Sequence, residues 1–189
     1  MRIAAIAGAL ALVISAPAFA DPGGPISEQF YVEATAGYSI GTDVEIGGAD
    51  TGTDGGYMIG GALGYALSQG VSVEAELAHS SRDVENTSFS VDATSAMANV
   101  MMDFTVDGRN GGYIGGGIGG INVNIDTPLG AVDEWKFGYQ FLAGVTREAS
   151  ENTVLFIEYR YQHANAIETA IGDTHYTGHT VGVGVRFGM

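Results

Sequence analysis

Eight ionisable side chains stand out because each falls in a stretch whose other face is apolar: Glu33, Glu74, Glu76, Asp103, Lys136, Glu158, Arg160 and Arg186. Five acids and three bases brought together must pair, since a buried charge without a partner is costly. Such a network can act as a fixed plug, or it can exchange partners and pass small ions. Histidine offers a second chemistry. His79-Ser80-Ser81 sets a hydroxyl two residues from an imidazole, the parts of an activated nucleophile, whereas His163-Ala164-Asn165 has an asparagine where the hydroxyl is needed. Oxygen coordination is a third. Acids gather between Asp43 and Asp54, Asp83 and Asp92, Asp126 and Glu134, and Glu168 and Asp173, but none has the spacing of a dedicated calcium loop. No catalytic residue, metal ligand or cofactor is therefore assigned.

These residues share a face only if the chain is extended. In the last stretch, His175 to Phe187, the residues Thr177, His179, Val181, Val183, Val185 and Phe187 have one parity, and Tyr176, Gly178, Thr180, Gly182, Gly184 and Arg186 the other. Seven more stretches alternate in this way, over residues 30–40, 57–67, 71–79, 94–104, 113–125, 135–146 and 153–161. Within 113–125 the isoleucines change parity between Ile118 and Ile121, which predicts a bulge near Gly119-Gly120. Stretches 41–56, 80–93, 126–134 and 162–174 lose the alternation and read as long loops, with Arg82 in the second of them. Stretches 68–70, 107–112 and 147–152 read as short turns. Long and short connections thus alternate between eight strands, an up-and-down order. The final strand lacks proline and has two edges to pair, so the sheet is expected to close on itself as an eight-stranded antiparallel barrel.

Periodicity alone leaves open whether the apolar face meets lipid or a core, since soluble eight-stranded barrels exist. Aromatic placement favours lipid. Phe30, Tyr38, Tyr57, Tyr65, Phe104, Trp135, Phe137, Tyr159 and Tyr161 lie on the apolar face and are assigned to interfacial girdles, and Tyr139, Phe141 and Phe187 share that face. Arg2, the apolar run Ile3 to Ile14 and Ala18-Phe19-Ala20 before Asp21 make residues 1–20 a secretory signal peptide. Residues 21–29 then form a periplasmic lead-in and 30–189 the transmembrane β-barrel. With 22 acids against seven bases, the net charge of −15 excludes nucleic acid as a partner. The chain contains no cysteine, so disulfides play no part.

Two segments, Ser95 to Gly120 and Phe137 to Tyr161, carry a resemblance. Asn99, Val100, Asp103 and Phe104 lead through a turn to Tyr113, Gly115, Gly117 and Gly119; later Ala143-Gly144-Val145 precedes Glu158-Tyr159-Arg160-Tyr161. The pattern resembles the small bacterial outer-membrane β-barrel family that includes opacity proteins, the OmpA transmembrane domain and alpha-proteobacterial surface antigens. Unlike full-length OmpA, the chain is expected to carry no peptidoglycan-binding domain. The resemblance also implies a C-terminal assembly signal at Thr180, Gly182, Val185 and Phe187, read by the barrel-assembly machinery. Taken together, the residues are read as a surface-exposed structural protein of the outer membrane, with outer-membrane lipid and lipopolysaccharide as partners. The acidic loops would serve envelope integrity, adhesion or contact with a host or extracellular ligand. Two alternatives remain open: a narrow ion pore gated by the inner ion pairs, and an enzyme acting on lipid A.

Overall fold

A computed structural model describes residues 30–40, 43–46, 49–52, 55–68, 70–83, 90–127, 130–169 and 172–189. The signal peptide and lead-in expected over 1–29 lie outside the described residues. Every element is a strand: β1 (Phe30–Ser39), β2 (Asp43–Ile46), β3 (Ala49–Gly52), β4 (Gly56–Ser68), β5 (Val71–Asp83), β6 (Ser90–Asp107), β7 (Asn110–Thr127), β8 (Gly130–Ser150), β9 (Thr153–Thr169) and β10 (Gly172–Gly188). β1 and β4 to β10 pair antiparallel in sequence order, and β10 returns to β1 from Tyr31↔Gly188 to Ser39↔Thr180. That last pairing removes both sheet edges and makes a closed, eight-stranded, all-β barrel.

Stepping between paired residues climbs the barrel, because closure requires a stagger. From Phe30 the path runs through Tyr65, Val73, Val100, Gly116, Phe141, Tyr161 and His179. His179 then accepts from the Ile40 amide, ten residues along the chain from the start. With eight strands, that stagger corresponds to a tilt of about 40° and an axial rise of about 2.5 Å per residue. The short turns all lie at one end, the end that the sequence reading expects to face the periplasm.

The structure corrects the sequence reading at three points. First, no bulge interrupts β7: its register with β6 runs unbroken from Val91↔Ile125 to Thr105↔Gly111. Ile114 and Ile118 face outward, whereas Ile121 and Val123 are buried inside. The parity change marks a switch from lipid-facing to lumen-facing apolar residues, not a change of register. Second, the strands run further than hydrophobic alternation suggests. Residues 80–83 pair with 90–93, 126–127 with 130–131, and 168–169 with 172–173, all within stretches read as loops, and 41–56 contains the β2–β3 hairpin, which joins β10 at Tyr176↔Val44. At the other end β7 begins at Asn110 and β8 continues to Ser150, inside stretches read as turns. Backbone pairing continues where neither face meets lipid, and there alternation has no cause. Third, Arg82 is not a loop base but a buried residue of the lumen.

Candidate functional site: the lumen and its outer rim

An eight-stranded barrel leaves an interior just wide enough for side chains, so what lines it must also fill it. Room is made locally. Tyr31, Tyr113 and Phe156 each lie over the glycine directly across on the next strand, Gly64, Gly144 and Gly184, at points where a Cβ would strike the ring.

Near the periplasmic end, Arg186 of β10 lies opposite Glu33 of β1 and forms an ion pair with it. Its Nη1 is 3.0 Å from Asp103 Oδ1 and its Nη2 3.8 Å from Glu74 Oε1. The guanidinium also sits 4.6 Å from the Tyr31 ring centre and 5.7 Å from that of Tyr113. The acid that answers Arg186 is therefore threefold, with Glu33 nearest. Tyr31 Oη donates to Glu74 at 2.8 Å and shares a 2.7 Å bond with Ser72.

One level up, Arg160 of β9 pairs with Glu76 and, at 2.9 Å, with Glu158, which also accepts from Tyr113 Oη at 2.6 Å. Asn99 couples the two groups, because its Nδ2 donates to Glu76 at 3.0 Å and Glu74 at 3.4 Å. Gln140 Nε2 donates to Asn99 Oδ1 at 2.7 Å, and Gln162 Nε2 to Gln140 Oε1 at 3.0 Å and Ser95 Oγ at 3.3 Å. All these charged groups are buried except Asp103, whose side chain is 32% exposed. Toward the other end Ala93, Met97, Ile121, Val123, Ala164 and Tyr176 form a buried apolar cluster, with Ser95 buried between Ala93 and Met97 and Ser80 buried opposite Ala93. Arg82 Nη2 donates to Tyr176 Oη of that cluster at 2.8 Å.

Seven of the eight charges singled out in the sequence thus come together, in two groups joined by Asn99. Lys136 lies on the same face but higher, opposite Ile121. Sequence reasoning missed Tyr31, Tyr113, Gln140, Gln162 and Arg82 as parts of the network. Tyr31, Tyr113 and Gln140 carry the inward parity of stretches read as strands, and that parity was the signal available; Gln162 and Arg82 lie in stretches read as loops, where alternation gave no signal.

On the outer surface Phe30, Tyr65, Phe104 and Phe187 are exposed toward the periplasmic end, with Phe30 and Tyr65 ring centres 5.0 Å apart. Tyr38, Tyr57, Trp135 and Phe137 are exposed toward the other end, with half-buried Tyr161 near them and exposed Tyr159 lower down. Thr180 and Gly182 of the expected assembly signal face inward, Thr180 bonded to Ser39 at 3.2 Å, and Phe187 faces outward. Three histidines also face outward, each bonding a hydroxyl on a neighbouring strand through Nδ1. The pairs are His79 with Thr94 at 3.1 Å, His163 with Thr177 at 3.2 Å and His179 with Tyr159 at 2.6 Å. Ser81 lies across from Tyr57 and Asp92, so the hydroxyl bonded to His79 belongs to Thr94. Among the described residues no group of three or more His, Cys, Asp or Glu is arranged to hold a metal.

The fold recurs among solved outer-membrane proteins. Neisserial surface protein A superposes with a TM-score of 0.66 at 18% identity, over 85% of this chain and 97% of that one. The N-terminal β-barrel domain of Pseudomonas aeruginosa OprF gives 0.53 at 18% identity, over 86% and 99%. Pseudomonas aeruginosa OprG gives 0.51 at 13% identity, over 87% and 98%. No curated protein sequence matches the chain. The outer membrane protein beta-barrel domain family matches residues 6–187. A closed barrel with an apolar, aromatic-edged exterior and a charged interior, matched over nearly its whole length, makes this chain a member of that family and a protein of the bacterial outer membrane.

Proposed function

We propose that this protein is a structural, surface-exposed barrel that maintains the envelope and presents acidic extracellular loops to lipopolysaccharide or an extracellular ligand, and that it is neither an enzyme nor a pore. The observation that carries this reading is the filled lumen. Buried ion pairs occupy its lower half, and Ala93, Met97, Ile121, Val123, Ala164 and Tyr176 pack as a buried cluster toward the other end, where Arg82 bonds Tyr176. An ion moving along the axis would have to displace packed side chains and give up its water, at a cost of several kcal/mol. A static plug supports a scaffold, and on a rigid scaffold the variable chemistry belongs to loops. Planar-bilayer recordings of the purified protein test it: no conductance steps are expected from wild type or from Arg186→Ala, and regular steps from wild type would overturn the structural reading. Deletion of the gene should make cells leakier to dyes or less adherent while leaving lipid A acylation unchanged.

A further inference from the structure

Arg82 stands outside the ion-pair network. Arg160 is answered by two carboxylates and Arg186 by three, but among the described residues Arg82 has no carboxylate partner. Glu76, the next acid along the inner face of β5, is six residues away, about 15 Å along the axis at about 2.5 Å per residue. Arg82 is nevertheless only 2% exposed. A guanidinium cannot give up its charge inside a protein, so burying one without a counter-charge is costly.

The fold makes a definite place for this side chain. It leaves β5 and crosses to β10. A Cβ on Gly56 of β4 would lie 2.6 Å from Arg82 Cγ, and a Cβ on Gly178 of β10 would lie 3.0 Å from both Arg82 Nη2 and Tyr176 Oη. Two glycines thus keep clear the volume that the stem and head of the arginine occupy. The guanidinium carbon lies 5.1 Å from the centre of the Tyr176 ring.

The polar atoms gathered here are donors. Arg82 Nη2 donates to Tyr176 Oη at 2.8 Å; because a guanidinium only donates, the phenol accepts in that bond and keeps its own proton to give. Arg82 Nε is buried and has no hydrogen-bond partner. Arg186 Nη2 is likewise without a hydrogen bond, but it has Glu74 Oε1 3.8 Å away. Donors from β5 and β10 therefore meet beside a fixed positive charge, and a buried donor left unmet costs the desolvation of that group.

We infer that the end of the lumen away from the short turns carries an anion-binding site, in which Arg82 Nε–H and its neighbouring Nη–H grip the two oxygens of a small carboxylate and the Tyr176 hydroxyl donates to one of them. The planar fork of a guanidinium meets a carboxylate in two parallel bonds, which a spherical ion cannot reproduce. With Arg82 so nearly enclosed, the site admits a ligand of the size of formate. The net charge of −15 offers an anion no long-range attraction, so selectivity rests on these short-range donors. The site is independent of what the acidic loops bind.

Urea unfolding of the folded, full-length barrel in uncharged detergent micelles, read from the heat-modifiable band, tests it in sodium formate against sodium chloride at equal concentration. A ligand held by the native state alone, at about ten times its dissociation constant, raises the folded-to-unfolded ratio about tenfold, and formate at about 100 mM should give wild type that advantage over chloride. Arg82→Lys keeps the charge but loses the fork and should abolish the preference. Tyr176→Phe keeps the ring but removes one donor and should lower the preference about two- to threefold, so the proposal stays testable if the Arg82 variant does not fold. Equal ratios in the two salts, a higher ratio in chloride, or an unchanged preference in either variant would each overturn the proposal. Equal ratios would show that an acid of the chain itself answers Arg82.

Discussion

Arg160 is in contact with two carboxylates, Glu76 and Glu158, and all three side chains are about 5% exposed or less. Their pairing therefore has little help from water, and removing the cation is the most damaging single change open to the group. Arg160→Met should lower unfolding stability in detergent micelles by about 3–5 kcal/mol, read from the urea midpoint of the heat-modifiable band. Adding Glu76→Gln and Glu158→Gln to Arg160→Met should recover most of that loss, because the penalty comes from the stranded charges. If Arg160→Met is as stable as wild type, the pairing seen here does not hold the lumen. Arg186 stands differently, since three acids surround it and one, Asp103, reaches toward the periplasmic opening. Its loss leaves more negative charge behind, but part of that charge is within reach of water, so Arg186→Met should cost no more than Arg160→Met.

Two predictions belong to single strands. The unbroken register of β7 requires Ile118 to meet lipid and Ile121 to lie in the lumen. Single cysteines at the two positions should therefore differ: a membrane-dissolved maleimide should label Ile118→Cys and leave Ile121→Cys unreacted. A bulge at Gly119-Gly120 would place both on the outside and give equal labelling. The second concerns Gly64 of β4, where a Cβ would collide with the Tyr31 ring. Gly64→Val should destabilise by about 1–3 kcal/mol, and in the Tyr31→Ala background its cost should fall sharply, a coupling readable from a double-mutant cycle. Single strands also show how much of the molecule is legible in sequence. Strand number, order and inward charges follow from alternation alone, as in β10, where every second residue from Thr180 to Arg186 faces inward. β7 resisted because its inner face changes from glycine to isoleucine and valine where the lumen changes from polar to apolar. Arg82 and the strand ends resisted because above the lipid both faces are polar. The partners of Arg186 depend on how three different strands converge, which no local pattern records.

At the scale of the whole barrel, charge and apolar packing alternate along the axis, and the order of layers decides what the lumen can do. The polar network opens toward the periplasm at Asp103 and is capped on the other side by Met97, Ile121, Val123, Ala164 and Tyr176. Apart from Tyr176, which Arg82 bonds, Met97 and Ile121 carry the most side-chain volume of that cap, and Gln140, Gln162 and Ser95 beside them already form a hydrogen-bonded path. Shortening both, Met97→Gly with Ile121→Gly, should let water join that path to the extracellular side while leaving the ion pairs of Arg160 and Arg186 in place. The variant should then show small cation-selective conductance in planar bilayers, since five carboxylates outnumber the two guanidiniums that pair with them. A further Arg160→Met change should enlarge that conductance only if the ions follow the lumen. A silent double-glycine variant that still migrates as a folded barrel would show that the ion pairs, rather than the apolar layer, make the seal.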